Sequence, residues 1–409
     1  MSRRVVITGM AGISSLGQDW ASVFARLQAQ QNAVQYMPEW DRFDGLNTRL
    51  AAPVTDFELP SHYSRKKVRA MGRVAQMATL ASERALLNAN LMDDPSIQDG
   101  RMGVAYGSSA GSPQPIVGFG NMLQHADMSG IDATSYIRMM NHTTAVNIGV
   151  FLGLKGRIIP TSSACTSGSQ GIGYAYEAIK YGQQQLMLAG GAEELCATEA
   201  VVFDTLFATS TRNATPSLTP RPFDRDRDGL VIGEGACTLV LEELEHAQAR
   251  GATIYAEIVG FATNSDGAHI TQPNASTMEQ AIRLALQDAD LAAKAIGYIN
   301  AHGTATDRGD AAESQATHAV FGSHTPISSL KSYTGHTLGA CGALEAWWSI
   351  EMMRHNWFAP TLNLTHVAEE CAPLDYIVGE GRTLETELVM SNNFAFGGIN
   401  TSLIFRRWP

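Results

Sequence analysis

Two stretches of this chain share one layout. Arg4–Ser14 (RVVITGMAGIS) and Ile254–Asp266 (IYAEIVGFATNSD) each begin as an apolar run, pass through glycine and end in small or polar residues. Each reads as a buried strand running into a glycine turn, and each opens a series of alternating strand and helix patterns. In the first series, strands are expected over Arg4–Met10, Arg101–Ser108, Gln185–Glu194 (closing in a tight glycine turn) and Cys237–Leu241. Helices are expected over Asp19–Gln28, Ala75–Ala89 and Gly171–Lys180. In the second, strands fall at Ile296–Ala301 and Pro326–Lys331, helices at 277–290, 311–320 and Gly342–Arg354, and hairpin-like strands close the chain. Residues 40–62 read as irregular. Such a pattern folds as α/β layers in two similar halves. No low-complexity linker separates them, so residues 1–250 and 251–409 are expected as the halves of one body.

Composition removes several classes of function. With 409 residues, 44% of them hydrophobic, the chain can bury a large core. A formal charge of −11 disfavours general nucleic-acid binding, which needs a basic surface. Apolar runs are too short to span a bilayer, and Ser2-Arg3-Arg4 leads directly into a strand rather than a signal sequence. Five cysteines with no CxxC pair point away from disulfides and zinc and toward a reducing cytoplasm. GMAG lacks the GxGxxG spacing of a dinucleotide loop. One basic run, Arg65, Lys66, Lys67, Arg69 and Arg73, stands out in an acidic chain. It is either a solvated helix face or a docking patch for an acidic partner.

The chemistry concentrates in three glycine-rich segments. In TSSACTSGSQGIG (Thr161–Gly173), Cys165 sits at the mouth of a helix, where free N–H groups and the macrodipole favour thiolate. The plain alternative is a buried small hydrophobe. NAHGTATDRGDAAE puts His302 just past a strand, at the end where α/β folds collect their chemistry. SSLKSYTGHTLGACGALE puts Lys331 at a strand end and His336 between glycines, and SNNFAFGGIN presents Phe394 and Phe396 from a tight turn. Phe203 and Phe207, four apart, read as core. A thiolate attacks thioesters and leaves as readily as another thiol. Two neutral imidazoles can hydrogen-bond a thioester oxygen as it becomes an enolate. Together they suit decarboxylation of a malonyl thioester followed by carbon–carbon bond formation, with no cofactor and no metal.

SSACTSG, NAHGTATDRGDAAE, LKSYTGHTLGACG and SNNFAFGGIN resemble, in order and spacing, the signatures of the elongating Cys-His-His β-ketoacyl–acyl-carrier-protein synthases. The resemblance extends over the whole chain, including VVITG and RPFDRDRDGLVIGEGA. It implies a thiolase-like five-layered αβαβα fold, an obligate dimer and substrates carried on the phosphopantetheine arm of acyl carrier protein. Cys165 then matches the nucleophile, His302 and His336 the decarboxylating pair, and Lys331 the lysine that orients them. The N–H groups of Cys165 and Phe396 match the oxyanion hole, with Phe396 also the gate. Thr304 and Thr306 match the threonines that hold the arm; Phe203, Ala110 and Thr271 join them as substrate-binding positions. Asp310 and Glu313 match a structural acidic pair, and Arg65, Lys66 and Arg69 match the carrier-docking face.

Departures from the common pattern (Ala305, Asp307, Ile399 and Cys341) and a small residue at Ala110 make the chain most similar to ketosynthases of specialised pathways such as aryl-polyene assembly. Its partner is then a second copy or a chain-length-factor-like subunit. Housekeeping fatty-acid elongation and a non-catalytic partner subunit are the competing readings, and Cys165 argues against the second. His336 in GHxxGAxG separates the chain from the Cys-His-Asn initiating branch and from thiolases. A cysteine hydrolase would leave both histidine turns without a role.

Overall fold

A computed structural model describes residues 2–409. Its core strands are β1 (Val5–Ser14), β2 (Met102–Gly107), β3 (Ile158–Thr161), β4 (Leu186–Glu193) and β5 (Gly235–Glu243) in the first half. In the second they are β6 (Ala256–Ser265), β7 (Tyr298–Asn300), β8 (Pro326–Ser328), β9 (Leu388–Ala395) and β10 (Ile399–Arg407). The spatial order is β3-β2-β4-β5-β1, then β6-β10-β9-β7-β8. Each half therefore places its own five strands in one order, with its third and first strands at the edges. In each half the second strand runs parallel to its neighbours, and the last two pairings are antiparallel. The halves meet where Val5–Ile7 pair antiparallel with Ala256–Ile258. That short ladder, with Asp375–Tyr376 added beside β8, makes one eleven-stranded sheet.

Six helices frame the site: α1 (Arg73–Asn88), α2 (Ser167–Lys180), α3 (Ala197–Asp204), α4 (Ala275–Asp288), α5 (Asp307–Phe321) and α6 (Cys341–His355). Helices α2 and α6 touch strands of both halves, whereas α1 packs on the first half, α4 on the second and α5 on α4. The layers run helix, sheet, helix, sheet, helix. A helix covered on both sides has no polar stripe to offer, and all residues of α6 from Cys341 to Met353 are buried. The strands of a sheet covered on both faces lose their alternation for the same reason, and all eight residues of β4 are buried.

Two glycine turns expected from the sequence are not turns. GMAG lies inside β1, which continues to Ser14 across a bulge between Ile7 and Gly9; the chain reverses only at Ser14–Gly17. Gly9 is there for close approach. A Cβ on it would stand 2.4 Å from the Ala85 carbonyl oxygen and 2.8 Å from Ala89 Cβ on the α1 side. The second half repeats the contact, with Gly260 facing the Ala285 oxygen at 2.5 Å and Ala289 Cβ at 2.9 Å. Gly190 and Gly191 likewise lie within β4. A Cβ on Gly191 would sit 2.2 Å from the Gly339 oxygen and 2.8 Å from Gly168 Cα, so its absence lets three segments of the site meet. Within 40–62 the structure adds a short strand, Leu50–Ala52, paired to Gln35–Tyr36 and Ile232–Gly233.

Gly9→Ala and Gly260→Ala are each expected to cost roughly 1–3 kcal/mol, because the added methyl meets backbone that cannot rotate away. Gly120→Ala, in a helix with nothing within 4 Å, should be neutral or slightly stabilising. Thermal melts of the three variants check the contrast, and equal melting temperatures would refute it.

Candidate active site

Cys165 stands in a single tight turn, Ala164–Thr166, that leads from the end of β3 into α2. The turn is held by its own side chains. Ser163 N–H donates to Ser167 Oγ (3.0 Å), Ser167 Oγ donates to the Ala164 oxygen (2.7 Å), and Thr161 Oγ1 donates to the Ser167 oxygen (2.7 Å). Ala164 has φ 51°, a left-handed conformation that a non-glycine residue keeps only when its surroundings enforce it. Cys165 is 4% exposed. The N–H groups of Phe396 and of Cys165 itself face its sulfur, as does the Lys331 charge, and all three favour thiolate. Burial is the larger influence and pushes the thiol up to about 11. The N–H groups act in the expected direction, and desolvation outweighs them, so the resting group is the thiol.

The imidazoles arrive on two further turns. His336 Nε2 lies 2.9 Å from Cys165 Sγ, and its ring stands edge-on to that of His302, 5.1 Å between centroids. One ligand atom from each of Cys165, His302 and His336 falls within 4.8 Å of the others, all three buried. Burial and then the Lys331 charge hold both histidines well below their usual pKa, so both rings are neutral at physiological pH. The His302 turn is built on acid side chains. Glu313 accepts from the His302 and Gly303 N–H groups at 2.7 Å each; Asp310 accepts from Thr304, Ala305 and Phe223. These are the two acidic residues marked in the sequence, on α5.

Lys331 does not end a strand. It opens a four-residue helix, Lys331–Thr334, after β8. Its ammonium, 1% exposed, meets Glu345 Oε1 of α6 at 2.5 Å. Glu345 Oε2 accepts from Asn393 Nδ2 at 2.8 Å, and Asn393 Nδ2 lies 3.5 Å from His302 Nδ1. Burial works against the ammonium, but Glu345 at hydrogen-bond distance holds its pKa above the ordinary value. No local sequence pattern marks Glu345, Asn393 or Glu193. Glu193, fully buried, accepts from Ser108 Oγ and from the N–H groups of Ser109, Ala110 and Gly339. Cys341 donates to the Cys165 carbonyl oxygen at 3.3 Å.

A cavity of about 470 Å³ opens over Cys165, His302 and His336 and is also lined by Thr304, Thr306, Thr271, Phe203 and Phe396. Thr304 and Thr306 hydroxyls are 2.9 Å apart, and the Phe203 and Phe396 rings meet edge-on at 5.9 Å. Phe207, read as core from its spacing, is 89% exposed on a left-handed residue at the cavity rim. Ala110 is not part of this lining. Arg65, Lys66 and Arg69 are exposed and share a separate surface concavity with Arg138 and Asp132. Among the described residues no helix is long and apolar enough to cross a membrane.

A family description, "Beta-ketoacyl synthase, N-terminal domain", matches residues 2–247, and the corresponding C-terminal domain matches 255–365. The chain belongs to the β-ketoacyl synthase family. It is 38% identical to 3-oxoacyl-[acyl-carrier-protein] synthase 1 of Haemophilus influenzae and 37% identical to synthase 2 of Vibrio cholerae, each over 99% of both chains. A β-ketoacyl synthase structure from Burkholderia phymatum STM815 superposes with a TM-score of 0.98 at 66% identity over 100% of both chains. The ishigamide ketosynthase/chain length factor superposes at 0.90 with 32% identity. The ketosynthase complex AntDE:AntF, a type II polyketide carrier protein with its ketosynthase bound to the hexaketide, superposes at 0.87 with 30%. Both superpose over 100% of each chain. The thiolase-like ketosynthase fold is thereby established, and the chain is an acyl-transferring enzyme. Ketosynthases need no free cofactor, because their substrates ride on the phosphopantetheine of acyl carrier protein.

Because burial raises the thiol toward 11, alkylation of Cys165 by iodoacetamide should accelerate about tenfold per pH unit from pH 7 toward pH 10. Intact-mass kinetics measure this. A rate already at its plateau below pH 8 would show a standing thiolate instead.

Proposed function

We propose that this ketosynthase extends an acyl chain, held as a thioester on Cys165, by decarboxylative Claisen condensation with malonyl-acyl carrier protein in a specialised polyene or polyketide-like pathway of the aryl-polyene kind. The observation that carries the chemistry is the buried convergence of Cys165, His302 and His336 at the floor of one cavity. The carrier's arm runs down that cavity past Thr304 and Thr306. His336 Nε2 takes the thiol proton as sulfur attacks the acyl thioester, and the N–H groups of Cys165 and Phe396 stabilise the oxyanion. The carrier thiol leaves with a proton, and the acyl group stays on sulfur. Malonyl thioester then loses CO2 while the two neutral imidazoles hydrogen-bond the enolate oxygen. The enolate carbon attacks the acyl carbonyl, the C–S bond to Cys165 breaks, and the departing thiolate takes a proton from water as the β-ketoacyl carrier is released. Lys331, held by Glu345, keeps both rings neutral, and Phe396 gates the sulfur. Phe203 and Thr271, which line the cavity, contact substrate; Ala110 lies outside that lining. The catalytic groups divide between halves 1–250 and 251–409.

The specialised reading is supported by Ala305, Asp307, Ile399 and Cys341 and by the likeness to the ishigamide and AntDE:AntF ketosynthases. Housekeeping elongation is the second reading. It has its own observation, the 38% and 37% identity to synthases 1 and 2 over nearly the whole chain. The assembly is a homodimer or a heterodimer with a chain-length-factor-like ketosynthase, acting in the cytoplasm. Arg65, Lys66 and Arg69 dock the acidic carrier. Acylation of Cys165, followed by intact mass with a panel of carrier-bound chains, separates the two pathways: polyunsaturated or aryl adducts support the first, exclusively saturated adducts the second.

Cys165→Ala should abolish condensation. Cys165→Gln should abolish it too, yet keep or raise malonyl decarboxylation, since both imidazoles remain; CO2 release against product formation reads the difference. Parental elongation by either variant would remove Cys165 from its role. Lys66→Glu with Arg69→Glu should weaken carrier binding, and wild-type binding should soften with salt. Carrier affinity unchanged in calorimetry would make the patch plain solvated surface.

A further inference from the structure

The three side chains at the floor of the cavity are also a set of metal ligands. One ligand atom from each of Cys165, His302 and His336 lies within 4.8 Å of the other two, and His336 Nε2 stands 2.9 Å from Cys165 Sγ. A tetrahedral zinc ion, with bonds of about 2.3 Å to sulfur and 2.0–2.1 Å to nitrogen, spaces those ligands about 3.3–3.5 Å apart. The observed separations bracket that spacing, so side-chain shifts of about an ångström seat the ion. Both rings are neutral and keep a lone pair to give. His336 Nδ1 has no hydrogen-bond partner among the described residues, so no bond opposes the tautomer that leaves Nε2 free to coordinate. Among the described residues this is the one such convergence of three His, Cys, Asp or Glu side chains.

The donors select the ion. One sulfur and two imidazole nitrogens suit zinc and its thiophilic relatives, whereas magnesium and calcium require oxygen. The cavity of about 470 Å³ supplies an entry path and an open fourth position for water. Lys331 opposes a cation here, but Glu345 at 2.5 Å offsets its charge. We propose that Cys165, His302 and His336 form an inhibitory site for zinc, which excludes substrate by occupying the sulfur and both imidazoles at once. Zn2+ displaces the thiol proton to solvent and forms a Zn–S bond with no change of oxidation state. The ion is then not a cofactor: it competes with the acyl thioester for sulfur and with the malonyl thioester for the rings. None of this shows in the sequence pattern, because the three ligands come from three separate turns.

The inhibitory part of this inference rests on Cys165 being the acyl acceptor; the binding part does not. Cobalt(II), which takes zinc sites and reports its ligands optically, is the probe. Full-length enzyme dialysed against a chelator and titrated with Co2+ should bind one ion and develop a thiolate-to-cobalt charge-transfer band. Zn2+ should bleach that band; Mg2+ should not. Cys165→Ser, and wild-type enzyme already acylated on Cys165, should show no such band. His302→Ala and His336→Ala should each weaken zinc by about tenfold or more in competition with a chelating dye. Where a variant fails to fold, the acylated wild-type enzyme supplies the control. Zn2+ should also block acylation of Cys165, read by intact mass, and a chelator should restore it. The inference is overturned by the absence of a charge-transfer band, by a band that survives in Cys165→Ser or in acylated enzyme, or by acylation at the full rate under saturating Zn2+. In each of those cases Cys165 still acylates and the synthase reading stands. A band in an enzyme that no carrier-bound chain acylates keeps the metal site and removes the synthase reading.

Discussion

The site depends on buried carboxylates that hold backbone. Turns at strand ends carry unpaired N–H groups into the protein interior, where each must find an acceptor. Glu313 and Asp310 supply acceptors for the turn around His302; Glu193 supplies them for Ser109, Ala110 and Gly339. Asp310 and Glu313 come from α5 and Glu193 from β4, and each closes a loop that short-range geometry alone would leave open. Glu345 does the same for side chains, joining the Lys331 ammonium to the Asn393 amide. A buried ion pair of this kind adds little net stability, but removing one partner strands the other. What the arrangement secures is position: the backbone that carries His302 cannot shift without breaking its bonds to Glu313.

The electrostatic consequence is a cluster of neutral side chains beside one buried ion pair, Lys331 with Glu345. Thiol and both imidazoles are desolvated, and desolvation favours the uncharged form of each. Lys331 stays charged because Glu345 faces it at hydrogen-bond distance. The thiol therefore keeps its proton at rest, and neither imidazole carries a positive charge. Donors already aimed at the oxygen that takes up negative charge need no reorganisation when the thioester reacts.

Much of this is legible in the sequence, and the reason is locality. Cys165, His302, His336 and Phe396 each sit in a run of small residues after a strand, so a short window identifies them. The halves are legible because Arg4–Ser14 and Ile254–Asp266 share a pattern. Gly9 and Gly191 mislead because a glycine inside an apolar run looks like punctuation. Their actual neighbours, Ala85 and Gly339, are distant in sequence. Phe207 misleads because i,i+4 spacing reports a shared face, and the helix ends at Asp204 before that face continues. Glu193, Glu345 and Asn393 are invisible for one further reason. A buried polar group within an apolar stretch announces itself only through a partner, and those partners are 14 to 146 positions away.

The seam between the halves spans only Val5–Ile7 against Ala256–Ile258. Most of the registration between them falls to α2 and α6, which touch both. Cys165 precedes one of those helices by two residues and His336 the other by five, while His302 belongs wholly to the second half. The 2.9 Å gap between sulfur and imidazole is thus a gauge of how the two halves sit. The first half carries the sulfur and the second both imidazoles, so their contact lasts only while the two halves stay in register.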